Sequence, residues 1–431
     1  MPATLPGARR IEKGAAFMLN RREFSKYFVA GGAALLASGG ARAAGTSATS
    51  PEQSAAPTFD LLIEGGTVVD PSQGLHAPLD VAIKDGKIAE VSKNIAKERA
   101  QKVISAKDLI VTPGFIDIHT HVFEGVSFGI NADRYCLTRG VTTVVDAGSA
   151  GYSTMANFHK FVITPSVTRI VAFINIGVVG TAMLPGSLVN LDWVNPQLTA
   201  KSAMENKPVV VGVKVHMGKA FTGAGDMECL KRALEAAEIL GVPLMAHIED
   251  SYSPLPGILK MLRKGDIYTH CYNSRPHGIL DATGKILPEA KEARERGVLF
   301  DPAQGQTHLN FDIAEKCFQQ NLLPNTISTD LTVATVERRV YDLPTMASKF
   351  MALGLSLGQV VEMVTSNAAR VFDCGAQIGT LQPGSEGDVA IFELRDGAFE
   401  FEDSDGGKRT GRQMLTSRSV VRRGQVFINA V

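Results

Sequence analysis

Gly114-Phe115-Ile116-Asp117-Ile118-His119-Thr120-His121 is a short, dense apolar run that carries one carboxylate and closes on two imidazoles. Seven more short apolar runs follow, most of them separated by helix-like segments: Val141 to Asp146, Ile170 to Ile176, Val209 to His216, Pro243 to His247, Asp266 to His270, Val298 to Asp301 and Thr326 to Asp330. Parallel strands covered on both faces read as such runs, and eight of them alternating with helices predict an α/β chain folded as a (β/α)8 TIM barrel. A doubly wound open sheet would ask for a glycine-rich phosphate loop after the first strand, and this sequence has none there. One intervening helix is legible in detail, with Asp226 as its cap, Leu230, Leu234 and Ala237 at helical spacing, and Gly241 as a left-handed stop.

Outward from the barrel, apolar and polar residues alternate in short runs from Phe59 to Val111, with Asp85-Gly86 as a hairpin signal. This reads as a small antiparallel sheet. Similar runs return after Gly379, at Asp388 to Leu394 and Ser419 to Phe427. The chain ends are therefore expected to build one small β-sandwich together, residues 59–111 and 376–431, around a barrel of residues 112–375. Near the start, Arg21-Arg22 precedes an apolar stretch from Tyr27 to Leu36 that ends by Ala41-Arg42-Ala43. This resembles a twin-arginine signal peptide over residues 1–43, followed by a Ser/Thr/Ala/Pro linker over 44–58. The apolar stretch is shorter than the roughly 20 residues a bilayer span needs. A periplasmic or secreted protein without a stable membrane anchor after cleavage is the expectation, with Met18 as an alternative start. That route carries folded proteins, which suits a metalloenzyme loaded before export.

Composition narrows the function. In 431 residues, Lys+Arg 44 balance Asp+Glu 44, so no basic field exists to gather nucleic acid. Five cysteines, Cys136, Cys229, Cys271, Cys317 and Cys374, show no CxxC spacing, which argues against a disulfide framework or a thiolate zinc site.

Reacting groups of a parallel barrel stand at the carboxyl ends of its strands. On the first strand, alternation turns Ile116 and Ile118 toward the surrounding helices and Asp117, His119 and His121 the other way. Further strands end in Lys214, His247, His270 and Asp330. Imidazole and carboxylate donors suit Zn²⁺ and its first-row neighbours, whereas Ca²⁺ or Mg²⁺ prefers oxygen alone. Each residue has a plainer reading: His247 as a hydrogen-bonded core histidine, Asp330 as a helix cap, Lys214 as a lysine snorkelling to the strand end. A lysine inside a near-continuous apolar strand is nevertheless costly unless it is paired or neutral. Cys271, beside His270, points away from the mouth by alternation and packs.

The constellation Gly114 to His121, Lys214, Met245-Ala246-His247, Thr269-His270-Cys271-Tyr272-Asn273 and Ser328-Thr329-Asp330 resembles the binuclear-metal branch of the amidohydrolase superfamily, over residues 59–431. The resemblance implies two divalent metal ions, expected to be Zn²⁺: His119, His121 and Asp330 on the inner ion, His247 and His270 on the outer, and an N-carboxylated Lys214 across both. It further implies a metal-bridging hydroxide, with Asp330 as acid and base in amide or ester hydrolysis, and Asp117 as a partner for a ligand histidine or a brace for its strand.

The segments His121 to Gly125, Asp146 to Gly151 and Tyr341 to Phe350 look most like the amidohydrolase/deacetylase group, associated with N-acetyl or O-acetyl compounds. Dihydroorotases usually place an arginine after the His-x-His pair, where this chain has Val122-Phe123. A cyclic-amide hydrolase of the dihydroorotase, hydantoinase or imidase type is the alternative. His216 and Gly218 stand where Arg and Ser are expected, Gln304 where relatives often have histidine, and Leu331 where a polar residue is common. These four are expected to line the mouth. His277 and His308 are read as loop or supporting histidines. The expected partner is a small acylated molecule, and a homo-oligomer is compatible with the sequence.

Overall fold

In the computed structural model residues 57–373 and 377–428 are described; the expected signal 1–43, nearly all of the expected linker and Cys374 lie outside the described residues. Unit 56–431 holds all that follows.

Alternating burial from Phe59 makes the first strand, β1 (Phe59–Asp70), which pairs antiparallel with β2 (Leu75–Lys84). Asp85 and Gly86, at φ 50° and 71°, turn β2 into β3 (Lys87–Ser92), the two positive values that a tight hairpin of matching twist requires. β4 (Ala100–Ser105) and β5 (Ile110–Pro113) then run parallel to β1 along its other edge, so this sheet is mixed rather than antiparallel throughout. They arrive through a connection that includes the short turn Lys97–Arg99, not through hairpins, and such a crossing allows the parallel sense.

The barrel sheet follows as β6 (Phe115–Thr120), β7 (Val141–Gly151), β8 (Arg169–Asn175), β9 (Val210–His216), β10 (Leu244–His247), β11 (Ile267–Thr269) and β12 (Leu299–Asp301). They pair in sequence order and in parallel. Seven of the eight apolar runs thus become strands. The eighth, Thr326 to Asp330, is extended chain without a ladder. It touches both edges through single contacts: Asn325 N to Phe300 O at 2.8 Å, Asp330 N to His119 O at 2.7 Å, and a bridge between Thr120 and Leu331. Asp330 itself sits at φ 53°, a conformation no regular strand accommodates.

The chain then returns through β13 (Val389–Glu402), β14 (Lys408–Arg422) and β15 (Gln425–Ile428). β13 pairs antiparallel with β5, giving one eight-stranded sheet in the order β15-β14-β13-β5-β1-β2-β3, with β4 also on β1. Leu61, Val68, Val81, Leu381, Val389, Ile391 and Val421 share its core, so both ends of the chain contribute, as expected. Among the described residues no helix is long and apolar enough to cross a membrane.

Two expectations need correction. Ile116 and Ile118 do not join the large cluster that contains the helix residues Leu230 and Leu234; they share a smaller one with Val145, Val171, Phe173, Met245 and Ile267 of neighbouring strands and with Ala368, Val371 and Phe372 at and after the helix Ser366–Ala369. The β6–β7 register shifts just before Ile116 and again between Asp117 and Thr120, so strict alternation does not carry through. Asp226 is not a cap but the first residue of the helix Asp226–Leu240, and its buried carboxylate accepts from Ser253 N at 2.7 Å and Ser253 Oγ at 2.8 Å. It therefore ties this helix to the loop after β10. Gly241 ends the helix at φ 67°, as read from sequence.

Candidate metal and catalytic site

The carboxyl ends of β6, β9, β10 and the segment after β11 bring His119, His121, Lys214, His247 and His270 together with Asp330, so all six expected residues meet. Their outward nitrogens are already engaged. Thr269 gives its proton to Asp301 at 2.9 Å and so can only accept from His119 Nδ1, also at 2.9 Å. His270 Nδ1 faces the Ala303 carbonyl at 2.8 Å, and His247 Nε2 faces Glu249 at 3.3 Å. Each partner is an acceptor, which places the ring proton outward and the lone pair inward. His121 Nδ1 lies 2.9 Å from Ser149 Oγ.

Inside the ring, His119 Nε2 is 3.6 Å from Asp330 Oδ1, and His121 Nε2 is 3.2 Å from it. Two lone pairs, on His270 Nε2 and His247 Nδ1, stand only 3.0 Å apart. Burial holds His119 and His270 well below the usual imidazole range and brings His247 down to about 4, so these rings are neutral donors. Burial likewise lowers the fully enclosed Lys214 to about 7. Its Nζ faces His119 Nε2 at 3.2 Å and Met245 Sδ at 3.3 Å, and among the described residues no carboxylate lies within ion-pair distance. For Asp330, burial opposes ionisation, but His119, His121 and His308 outweigh it and keep the carboxyl well below its ordinary value.

Converging neutral imidazoles, a lone-pair clash at 3.0 Å, an unpaired buried amine and an ionised carboxylate fit divalent metal ions of the zinc type. The ligand atoms of His119, His270 and Asp330 lie within 4.8 Å of one another, as do those of His247, His270 and His308.

Sequence reasoning read His308 only as a loop or supporting histidine, and missed Glu249 and Asp301. His308 stacks on His270 at 3.8 Å between ring centres, with Nδ1 3.3 Å from Asp330 Oδ2 and Nε2 2.5 Å from Glu249. That Nδ1 is buried with no hydrogen bond aligned on it. Glu249 binds His247, His308, Arg275 and Thr307 at once. It lies two residues beyond His247, so the alternation that placed the histidine could have placed it too. Asp301, the last residue of β12, accepts from Thr269, Thr326 and Ser328. Asp117 braces the strand rather than a ring: it accepts from His119 N, Thr329 N and Thr329 Oγ1. Cys271 is buried packing, as expected.

Beside the cluster opens a cavity of about 240 Å³ with an apolar wall of Phe128, Leu184 and Phe221 and a polar wall that includes Glu249, Gln306, Thr307 and Thr332. His216 lines it. Gly218, Gln304 and Leu331 do not, and Gln304 turns away to accept from Lys349. His277 reaches Ser251 O instead of the cavity.

Gly305 holds the tightest approach. A Cβ there would come within 2.2 Å of Asp330 Oδ2 and 2.7 Å of His308 Nδ1, at φ +49°. Gly305→Ala is therefore expected to cut turnover by about 10²-fold or more while circular dichroism stays unchanged; normal turnover would show that Asp330 tolerates displacement.

The profile of the Amidohydrolase family matches residues 110–412. A deacetylase of Enterococcus faecalis is 32% identical over 375 residues, 86% of this chain and 100% of that protein. A solved structure titled an adenine deaminase superposes with a TM-score of 0.81 at 32% identity, covering 86% of this chain and 100% of that one. Another, titled a dihydroorotase, gives 0.78 at 29% identity, covering 85% and 99%.

Proposed function

Since this chain belongs to the amidohydrolase family and is a hydrolase of C–N bonds, we propose that it is an exported deacetylase with two metal ions, cleaving an N-acetyl or O-acetyl bond of a small molecule. The observation that carries the reading is the inward set of imidazole lone pairs gathered on Asp330 and Lys214. In this reading His119, His121 and Asp330 would hold one ion, His247 and His270 the other, and Lys214 both. Two zinc ions so held would supply an acidified water and a polarised carbonyl.

The chain's own groups do the rest. At its lowered pKa of about 7 Lys214 has a substantial neutral fraction near neutral pH, the form of an amine that adds CO₂: its nitrogen lone pair forms the N–C bond, a proton leaves, and an anionic ligand replaces a buried base. Asp330, ionised and lining the cavity, takes a proton from the attacking water and returns it to the leaving nitrogen or oxygen. Phe128, Leu184 and Phe221 shed water from one side of the substrate, and a cavity of about 240 Å³ suits a small acylated molecule rather than a polymer. Export is supported by Arg21-Arg22 ahead of an apolar stretch.

Cyclic-amide hydrolysis is the second reading, favoured by the likeness to the dihydroorotase structure. Val122-Phe123, in place of the arginine expected after His-x-His, weighs against it.

Protein purified with zinc and bicarbonate should be offered N-acetyl amino acids, acetylated hydroxy acids, dihydroorotate, hydantoins and adenine. An acetylated compound is expected to exceed the ring compounds by about 10²-fold or more in kcat/KM. Turnover confined to the rings would overturn the deacetylase reading, and one metal ion or none per chain would overturn the binuclear one.

A further inference from the structure

We propose that Lys349, remote from the cavity, is a positioning residue that sets the loop 303–308 against Asp330 and His270, an inference that rests on the hydrolase reading of that site. Lys349 lies on the helix Leu343–Ala352 and is 1% exposed. Its Nζ donates to Gln304 Oε1 at 2.6 Å, to Glu402 O at 2.8 Å and to Arg339 O. Three oxygens thus surround the amine, and none of the three is a carboxylate. An amine so placed is a strut between a helix, the end of β13 and the loop after β12.

Gln304 is the loop's end of that strut. Its amide nitrogen donates to Glu402 O at 3.2 Å, and its backbone oxygen accepts from His308 N at 3.0 Å and Ser404 Oγ at 3.2 Å. On either side of Gln304 the same loop touches the site three times. Ala303 O fixes the tautomer of His270. Gly305 lies so close to Asp330 that one added carbon would collide. The His308 ring stacks on His270.

Cutting the strut leaves the Gln304, Arg339 and Glu402 oxygens without their shared donor, and a loop free to move by even part of an ångström changes all three contacts. Lys349 makes no hydrogen bond to a cavity residue named above; Gln304 is its direct link to this loop.

The test uses Lys349→Met in the metal-loaded enzyme, with Gln304→Met as a milder cut that leaves the lysine its two backbone acceptors. Both are expected to lower kcat, by about 10²-fold for Lys349→Met and less for Gln304→Met, with KM changed less than about 3-fold. A second readout needs no turnover: in metal-free protein with ¹⁵N-labelled histidine, the His270 and His308 ring signals should shift while those of His159 and His277, which contact Asn206 and Ser251, stay in place. Unmoved His270 and His308 signals in both variants would overturn the proposal whatever the substrate proves to be. Equal shifts at all four histidines would overturn it as well, because they mark a general loss of structure. If Lys349→Met does not fold, Gln304→Met decides alone. Shifted ring signals with no hydrolysis by the parent enzyme would leave the positioning role standing and remove the hydrolase assignment instead.

Discussion

Asp330→Asn is expected to lower kcat by about 10³- to 10⁴-fold with the fold intact. The amide matches the carboxylate in shape but cannot take a proton from water at neutral pH. It would also turn an NH₂ or a weaker acceptor toward His121 Nε2, now 3.2 Å from Oδ1. Asp330 N keeps its bond to His119 O at 2.7 Å in the variant, so the left-handed backbone should persist, and asparagine tolerates that conformation as well as any residue but glycine. Steady-state kinetics beside thermal unfolding decides the point: a midpoint within a few degrees of the parent is expected. Turnover within about 10-fold of the parent would remove this carboxylate from the proton transfer.

Lys214→Met should separate stability from function in opposite directions. In metal-free protein the lysine is fully buried against an imidazole and a thioether, and burial lowers it from 10.5 to about 7. Between those values the unfolded chain holds a proton that the folded chain has released, so folding stability rises with pH across this window. The cost is complete below about 7 and fades toward 10.5. Methionine carries no proton to lose. The variant's unfolding temperature is expected to exceed the parent's by roughly 5 °C at pH 6 and by less at pH 9. Loaded with zinc and bicarbonate, the same variant should retain less metal than the parent and lose about 10³-fold or more in turnover. A lower unfolding temperature at both pH values, together with a full metal complement, would mean that Lys214 is a structural amine and nothing else.

Which features the sequence disclosed follows from their range. Seven strands showed themselves as apolar runs, because a strand covered on both faces has nowhere to put polar groups except its end. His119, His121, Lys214, His247 and His270 stood out for that reason. The eighth segment misled in part: Thr326, Ser328 and Thr329 spend their hydroxyls on Asp301 and Asp117, and Asp330 bends out of extended geometry, neither of which a window of apolar character records. His308 and Glu249 come from loops, whose paths depend on distant neighbours. The grouping of Ile116 and Ile118 with Val145, Val171 and Met245 goes with register shifts between β6 and β7 that no single-strand pattern contains. Lys349 lies in the Tyr341 to Phe350 segment that looked like the deacetylase group, and only the approach of Gln304 and Glu402, from 45 and 53 positions away, shows what it holds.

The pairing of β5 with β13 has a consequence for how the molecule is made. Ile110 meets Phe392 and Pro113 meets Val389, while the Asp70 carboxylate accepts from Leu381 N, 311 positions later. A chain leaving the ribosome must therefore finish its barrel before the seam that anchors it can close. Until β13 emerges, β5 is an open ribbon edge, the kind that recruits another nascent copy. Clipping the chain anywhere before residue 389 would make that waiting state permanent, and such truncated protein would collect in aggregates instead of accumulating as a smaller soluble barrel.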